Sequence, residues 1–204
     1  ERKVLAELER FNITAVTSGT PEVVKRWMAA SPKRIIPGLL LWHPNEINPD
    51  ELRAAHRRGD LKVLGEVSTQ YEGIAPNDPA MEPLWSLAEE LDIPVAIHMG
   101  TGPPGGPAYG PFPKYRATLS NPLLLEEVLI KHPKVRVSVV HAGWPHLDEM
   151  ISLLYYHPNA YAEIGVLDWH VKRPEFHFYL RRLVNAGFEN RILFGTDMML
   201  RPEK

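Results

Sequence analysis

Seven short apolar runs alternate with segments of helical periodicity, and this alternation constrains the fold more than any other feature of the chain. The runs are rich in Val, Ile and Leu. Several are apolar on both faces, as in parallel strands that helices cover on both sides. They lie at Ile13–Thr17, Ile35–Leu41, Lys62–Ser68, Pro94–His98, Val135–His141, Ala160–Val166 and Ile192–Asp197. No β-hairpin signal separates them, so the pattern predicts a parallel α/β fold.

Proline marks the start of most of the predicted helices, because its missing N–H costs nothing at the first helical position. Four of these prolines follow a residue that can cap a helix. The pairs are Thr20-Pro21, Asn48-Pro49, Asp78-Pro79, Asn121-Pro122 and Arg173-Pro174. The chain also opens with apolar residues at helical spacing, so we expect a helix before the first strand.

A closed (β/α)8 barrel of the TIM type and an open doubly wound sheet both fit this alternation. The open sheet usually carries a glycine-rich phosphate turn after its first strand, and no such turn is present here. Polar side chains at three separate strand ends favour the barrel, which gathers all its carboxyl ends round one pocket. Since only seven strands are counted, we expect residues 1–204 to be a single, incomplete TIM-barrel domain without its first strand and last helix. A natural seven-stranded barrel is the alternative.

The composition argues against several kinds of partner. The formal net charge is -2 without a long run of one sign, which favours neither nucleic acid nor an anionic membrane. No apolar stretch approaches the roughly 20 residues of a membrane span. We therefore expect a small-molecule substrate as partner, and homo-oligomerisation stays open.

The chain has no cysteine, so any metal must bind imidazole, carboxylate or water. Localisation stays open, with the cytoplasm slightly favoured over the periplasm.

Residues of metal-ligand type close three of the apolar runs, namely His98, His141 and Asp197. Each has a plain structural alternative. A histidine at such a position can be a core residue with backbone partners, and an aspartate can cap the next helix. Together at strand ends, however, they predict a divalent metal at a shared mouth of the fold, because imidazole and carboxylate bind such ions.

The sequence around these residues resembles a known superfamily. The motifs are PVAIHMG at 94–100, VVHAGWP at 139–145 and ILFGTD at 192–197. They are similar to the fifth, sixth and eighth strand motifs of the amidohydrolase superfamily. Residues 121–141 are similar to its amidohydrolase-related (amidohydrolase 2) branch, which also contains metal-dependent decarboxylases.

This resemblance implies roles for the three residues. His98 binds a metal ion, and His141 binds a second ion or polarises the attacking water. Asp197 contacts the metal and acts as general base. The expected cofactor is zinc, as one or two ions. The implied activity is hydrolysis of a C–N or C–O bond in a small amide, lactone or ester. Decarboxylation of an aromatic or enoic acid on the same scaffold is the alternative.

Three further residues are candidates for the site. Glu66, at the end of the third run, is expected to contact the metal or to hydrogen-bond a ligand histidine, with a barrel-interior ion pair as the alternative. Glu163, in the sixth run, is expected to bind substrate or to support the site by a hydrogen bond. Arg116 closes the long irregular segment 101–116, which we expect to be a lid, and is the candidate for binding a substrate carboxylate.

One departure from the family pattern affects these expectations. The family's first strand carries a His-x-His pair that supplies two metal ligands, and this sequence contains no such pair. Its absence agrees with the expectation that the first strand is missing. It also keeps a third hypothesis open, that of a non-catalytic barrel used for binding or assembly.

Overall fold

Seven parallel strands form one sheet in chain order in this computed structural model, which describes residues 2–197. Each strand pairs with its neighbours along the chain. The strands are β1 (Ala15–Thr17), β2 (Ile35–Leu41), β3 (Val63–Val67), β4 (Val95–His98), β5 (Val137–Val140), β6 (Ala160–Glu163) and β7 (Ile192–Leu193). The predicted parallel α/β fold and all seven predicted strands are therefore confirmed.

Helices connect the strands and cover the sheet. They are α1 (Arg2–Arg10), α2 (Pro21–Ala30), α3 (Pro49–Arg58), α4 (Glu82–Leu91), α5 (Gly106–Tyr109), α6 (Glu126–Lys131), α7 (Leu147–Tyr156), α8 (Leu167–His170) and α9 (Arg173–Asn185). Short 3-10 turns stand at several junctions, and one of them, at Thr69–Glu72, directly follows β3. No helix among residues 2–197 is both long and apolar enough to cross a bilayer.

The proline-led helix starts form as expected, and α3 shows how. Asn48 Oδ1 accepts the backbone N–H of Glu51 at 3.4 Å, and Pro49 occupies the first helical position. This satisfies one of the N–H groups that a helix leaves unpaired at its start. Gly59 ends the helix in the left-handed conformation, at a φ of 79°, which a glycine adopts without strain.

Four strands end earlier than predicted, β3 and β5 by a single residue and the other two by three or more. The run Ala160–Val166 is extended only to Glu163, because the Glu163 carboxylate accepts the backbone N–H of Gly165 at 2.7 Å and turns the chain. Val166 continues that turn at a φ of 69°. The run Ile192–Asp197 pairs only over its first two residues, so Asp197 lies beyond the end of β7.

The core lies between the central strands and the helices outside them. Leu64, Val95, Val137, Ala160 and Ala162 on β3 to β6 are all 0% exposed. Helices α4, α7 and α9 contribute side chains that are equally buried, among them Leu84, Leu153, Leu154 and Leu183. Burying each of the leucine and valine side chains contributes roughly 1.5–3 kcal/mol. This packing holds the central strands side by side, and with them their carboxyl ends.

The sheet curls into part of a barrel. Within the described residues β1 and β7 are not paired with each other, so the sheet stays open between its first and last strands. Because all strands are parallel, their carboxyl ends lie along one rim. The residues that follow β3, β4, β5 and β6 therefore meet on the same side of the molecule.

Candidate metal centre

Three potential metal ligands meet at this rim. Glu66 lies in β3, His98 is the last residue of β4, and His141 directly follows β5. One ligand atom from each residue lies within 4.8 Å of those of the other two. The group is compact enough to surround a single ion. The structure thus brings three of the four predicted metal ligands together.

His98 is a buried, neutral imidazole. Its Nδ1 lies 2.9 Å from Oε1 of Gln70, and its ring centroid lies 4.7 Å from that of His141. Burial, and secondly the charge of His141, lower its pKa well below the usual 6.5. A neutral ring at physiological pH can offer a nitrogen lone pair to a cation.

His141 is held by a backbone carbonyl. Its Nδ1 lies 2.9 Å from the carbonyl oxygen of Gly165. A carbonyl only accepts, so Nδ1 carries the proton and Nε2 is the nitrogen that can bind an ion. Burial lowers the pKa of His141, while the hydrogen bond to Gly165 and the charge of Asp197 oppose the shift.

The backbone at His141 is in the left-handed region, which non-glycine residues seldom adopt. His141 has a φ of 62° and Ala142 a φ of 49°. Such backbone strain persists only where the surroundings enforce it, and it is frequent at functional sites. Gly100 leaves room for the imidazole, because a Cβ on that glycine would lie 2.8 Å from Cδ2 of His141. The glycine of the PVAIHMG motif is therefore explained by contact with the second histidine.

Glu66 is the acidic member of the group. Its pKa is raised to about 8, first by burial and then by the charges of Asp197 and Glu163, while a hydrogen bond to Ser68 opposes the shift. Burial and the nearby negative charges therefore disfavour the ionised form of Glu66. A cation bound beside it would favour that form.

Asp197 lies at the same mouth, outside the compact group of three. Within the described residues its carboxylate is not part of that group, although its charge raises the pKa of Glu66 and opposes the lowering at His141. The pKa of Asp197 itself is raised by burial, and His141 opposes this. Its metal-binding and general-base roles stay predictions.

Glu163 supports the turn that carries His141. Its carboxylate accepts the backbone N–H of Gly165 at 2.7 Å and that of His141 at 3.3 Å. Burial raises the pKa of Glu163 to about 7, partly opposed by these two hydrogen bonds. A Cβ on Gly195, the glycine of the ILFGTD motif, would lie 1.7 Å from Oε1 of Glu163. Substrate binding by Glu163 stays a prediction.

The segment 101–116 packs over His98 through aromatic rings. Tyr71 lies with its ring centroid 4.7 Å from that of His98, 4.6 Å from Phe112 and 4.9 Å from Tyr115. Tyr115 is buried, and its hydroxyl donates to the carbonyl of Gly100. Burial, followed by the charges of Glu66 and Asp197, raises the pKa of Tyr71 to about 12. We call Tyr71, Phe112 and Tyr115 the aromatic cluster.

Arg116 is exposed at the end of this segment. Its guanidinium Nη1 donates to the carbonyls of Pro113 at 2.9 Å and Tyr115 at 2.8 Å. Its own carbonyl accepts from Nε2 of Gln70 at 3.2 Å. Binding of a substrate carboxylate by Arg116 stays a prediction.

Sequence reasoning missed Gln70 and Tyr71. Both belong to the 3-10 turn Thr69–Glu72, a few residues beyond Glu66 on the same rim. A glutamine next to an aromatic residue just after a buried strand is a weak signal. Loops at the carboxyl ends of parallel strands carry the functional side chains in barrels, so their position after β3 is the signal that could have found them.

Comparison with known proteins bears on both the family and the fold. A sequence model of the amidohydrolase family matches residues 12–204. No curated protein matches the chain significantly. The family match covers all seven strands, from β1 to β7.

Many solved structures share the fold, and three of them illustrate the likeness. The uncharacterized TIM-barrel protein Bb4693 from Bordetella bronchiseptica has a TM-score of 0.66 at 20% identity, over 90% of this chain and 64% of that one. The 5-carboxyvanillate decarboxylase LigW from Sphingomonas paucimobilis has a TM-score of 0.65 at 14% identity, over 98% and 73% of the two chains. A probable 2-pyrone-4,6-dicarboxylic acid hydrolase from Acinetobacter baumannii has a TM-score of 0.63 at 14% identity, over 97% and 73%. These likenesses show the TIM-barrel type of fold, and the chain spans less than two thirds of the first protein's length.

Proposed function

The chain belongs to the amidohydrolase family, and from this membership we propose that it is a metal-dependent hydrolase that cleaves a C–N or C–O bond in a small-molecule amide, lactone or ester. The observation that supports this most is the group of Glu66, His98 and His141, whose ligand atoms lie within 4.8 Å of one another. Two imidazoles and one carboxylate are a frequent ligand set of catalytic zinc.

The charges at the mouth suit a cation. Burial and neighbouring carboxylates raise the pKa of Glu66 to about 8 and that of Glu163 to about 7. The two histidines have lowered pKa values, so they are neutral ligands rather than counter-charges. A divalent ion would supply the missing positive charge. Zinc suits the imidazoles, and manganese is the second ion to test because it favours carboxylate ligands.

We assign a separate role in the proposed hydrolysis to each residue of the site. A bound divalent cation would lower the pKa of water and polarise the substrate carbonyl. Asp197 would take the proton of the attacking water and return it to the leaving nitrogen or oxygen. Glu66 and His98 would hold the ion, with His141 completing the set or polarising the water.

The surroundings of His98 indicate the shape of the substrate. The aromatic cluster packs beside this histidine, and its two partly exposed rings, Tyr71 and Phe112, would offer apolar faces to a planar molecule. We propose that Arg116 turns from its loop carbonyls to a substrate carboxylate, because its guanidinium can form two parallel hydrogen bonds with that group. Glu163 is proposed to bind a substrate hydroxyl or to act only through the His141 turn.

Decarboxylation of an aromatic or enoic acid is the second candidate. The aromatic cluster favours it, since a flat carboxylic acid could rest against these rings. Of the three structures described above, one is named as 5-carboxyvanillate decarboxylase and one as a probable 2-pyrone-4,6-dicarboxylic acid hydrolase. Both reactions use the same metal site, so the product decides between them.

One assay in isotopically labelled water separates the two reactions. Protein loaded with zinc or manganese is given lactones, aryl esters, amides and aromatic carboxylic acids in H2(18)O. Hydrolysis places 18O in the acid product, whereas decarboxylation releases carbon dioxide and puts solvent hydrogen on the ring. His98→Ala is the negative control. A metal-loaded protein that converts no member of the panel would favour the non-catalytic barrel instead.

A further inference from the structure

We propose that Gln70 is a positioning residue that fixes the tautomer of His98, keeping the proton on Nδ1 and leaving Nε2 free for an ion. The proposal rests on the proposed function in taking His98 as a metal ligand. Gln70 is 3% exposed and stands in the 3-10 turn Thr69–Glu72. No motif of the sequence singles it out.

Three backbone groups fix which end of the Gln70 amide faces which way. Nε2 lies 2.8 Å from the carbonyl oxygen of Gly100 and 3.2 Å from that of Arg116. Oε1 lies 3.3 Å from the backbone nitrogen of Gly100. A carbonyl only accepts and a backbone N–H only donates, so exchanging the amide oxygen and nitrogen would break all three contacts.

The fixed amide determines the proton on His98. Oε1 of Gln70, which can only accept, lies 2.9 Å from Nδ1 of His98. Nδ1 must therefore carry a proton. In a neutral imidazole the other nitrogen then bears the lone pair, so Nε2 is the nitrogen that binds. His141 reaches the same tautomer through the carbonyl of Gly165.

The same side chain connects the proposed ligand to the lid. Gly100 directly precedes the segment 101–116, and Arg116 ends it, so Gln70 holds both ends of the segment. A second contact joins this segment to the same 3-10 turn without involving His98, the ion pair of Lys114 and Glu72 at 2.9 Å. Glu72→Gln weakens that pair and is therefore the matched control.

The test reads the tautomer directly in metal-free protein. The protein is labelled with 15N-histidine, and the His98 resonances are assigned by their loss in His98→Ala. We expect a protonated Nδ1 and an unprotonated Nε2. Gln70→Met removes the amide at similar length. We expect it to abolish this preference and to weaken zinc binding about 10–100-fold, the usual cost of losing such a partner of a ligand histidine.

Two further variants separate the effect of Gln70 on the tautomer of His98 from its effect on the anchoring of the segment 101–116. Gln70→Glu keeps an acceptor for His98 but loses the donor to Gly100 and Arg116, so the Nδ1 proton should persist. Glu72→Gln should match the wild type in both tautomer and zinc affinity.

A proton on Nε2 in the wild type would overturn the proposal, and so would an unchanged His98 spectrum in folded Gln70→Met. The wild-type spectrum decides the matter even if Gln70→Met does not fold. If the expected tautomer appears in a protein that binds no divalent ion, the inference about Gln70 holds and the proposed function fails.

Discussion

Two glycines near the candidate metal centre leave room for the side chain of Glu163. A Cβ at Gly195 would meet Oε1 of Glu163 at 1.7 Å, and one at Gly165 would meet the same oxygen at 2.5 Å. Glu163 in turn holds the backbone of His141. The glycine of the ILFGTD motif thus makes room for the carboxylate that supports a histidine in another motif.

Gly195→Ala tests this dependence. The added methyl group must displace the Glu163 carboxylate, which leaves two backbone N–H groups without their acceptor. We expect a loss of about 1–3 kcal/mol in the free energy of unfolding, measured by urea denaturation, and weaker zinc binding. Gly19→Ala is the control, because a Cβ there would meet its nearest atom at an ordinary 3.5 Å. Equal stability of the two variants would contradict the account.

Asp197→Asn separates catalysis from metal binding. As three other candidate ligands, Glu66, His98 and His141, remain in the variant, we expect it to keep most of its metal even though Asp197 is itself predicted to contact the ion, measured by elemental analysis after dialysis. Loss of the general base should lower kcat by about 10²–10⁴-fold. Asp50→Asn, a change in the exposed carboxylate that pairs with Arg53, should leave kcat unaltered. Turnover at the wild-type rate in Asp197→Asn would refute the mechanism.

The shifted pKa values predict how the stability of the metal-free protein depends on pH. Glu66 goes from a pKa of 4.5 to about 8 on folding, so the folded state binds its proton more tightly. The stability from this group is full at low pH and is lost as pH rises towards 8. His98, with a pKa lowered from 6.5, acts in the opposite sense, and its contribution is lost as pH falls below 6.5.

The two effects oppose each other between pH 4.5 and 6.5, so we expect a plateau of maximal stability of the metal-free protein in that range and a decline between about 6.5 and 8. Glu66→Gln should flatten that decline, because an amide does not ionise. Thermal unfolding at several pH values, with chelator present, measures both curves. A decline of the same slope in wild type and Glu66→Gln would show that Glu66 does not cause it.

At the level of elements, periodicity predicted the strands well and their ends poorly. Apolar runs with helices between them are a property of neighbouring residues, so the sequence could predict all seven strands. The end of β6 depends on the Glu163 carboxylate, which turns its strand onto Gly165. Such a side chain-to-backbone bond leaves no periodic signal.

The prediction that the segment 101–116 is a lid can be tested at Tyr71. Its ring joins the segment 101–116 to the 3-10 turn beside His98 through Phe112 and Tyr115. Tyr71→Ala should release the backbone of the segment, so that trypsin cleaves faster after Lys114 and Arg116, whose side chains are already exposed. We expect a loss of about 2 kcal/mol in stability, below the cost of removing a fully buried ring.

Limited proteolysis with mass spectrometry measures the cleavage. Tyr155→Ala is the control, because that ring is 76% exposed and distant in the chain. An unchanged rate of cleavage in Tyr71→Ala would show that the segment is held by other contacts.

At the level of the whole molecule, topology made part of the centre predictable. In a parallel sheet every carboxyl end lies on one rim, so residues at the ends of β3, β4 and β5 could be expected to meet. The supporting contacts could not be expected in this way. Gln70 reaches Arg116, and Glu163 meets Gly195, through the curvature of the sheet and the path of loops between distant residues. Their partners are mostly backbone groups, which the sequence does not distinguish.

The central claim is that Glu66, His98 and His141 bind one divalent ion together. Anomalous diffraction from crystals grown with zinc, and separately with manganese, tests it most directly. We expect one peak at about 2.0–2.2 Å from a nitrogen of each histidine and a carboxylate oxygen of Glu66. A peak elsewhere, or occupied crystals in which these three side chains do not touch the ion, would contradict the account.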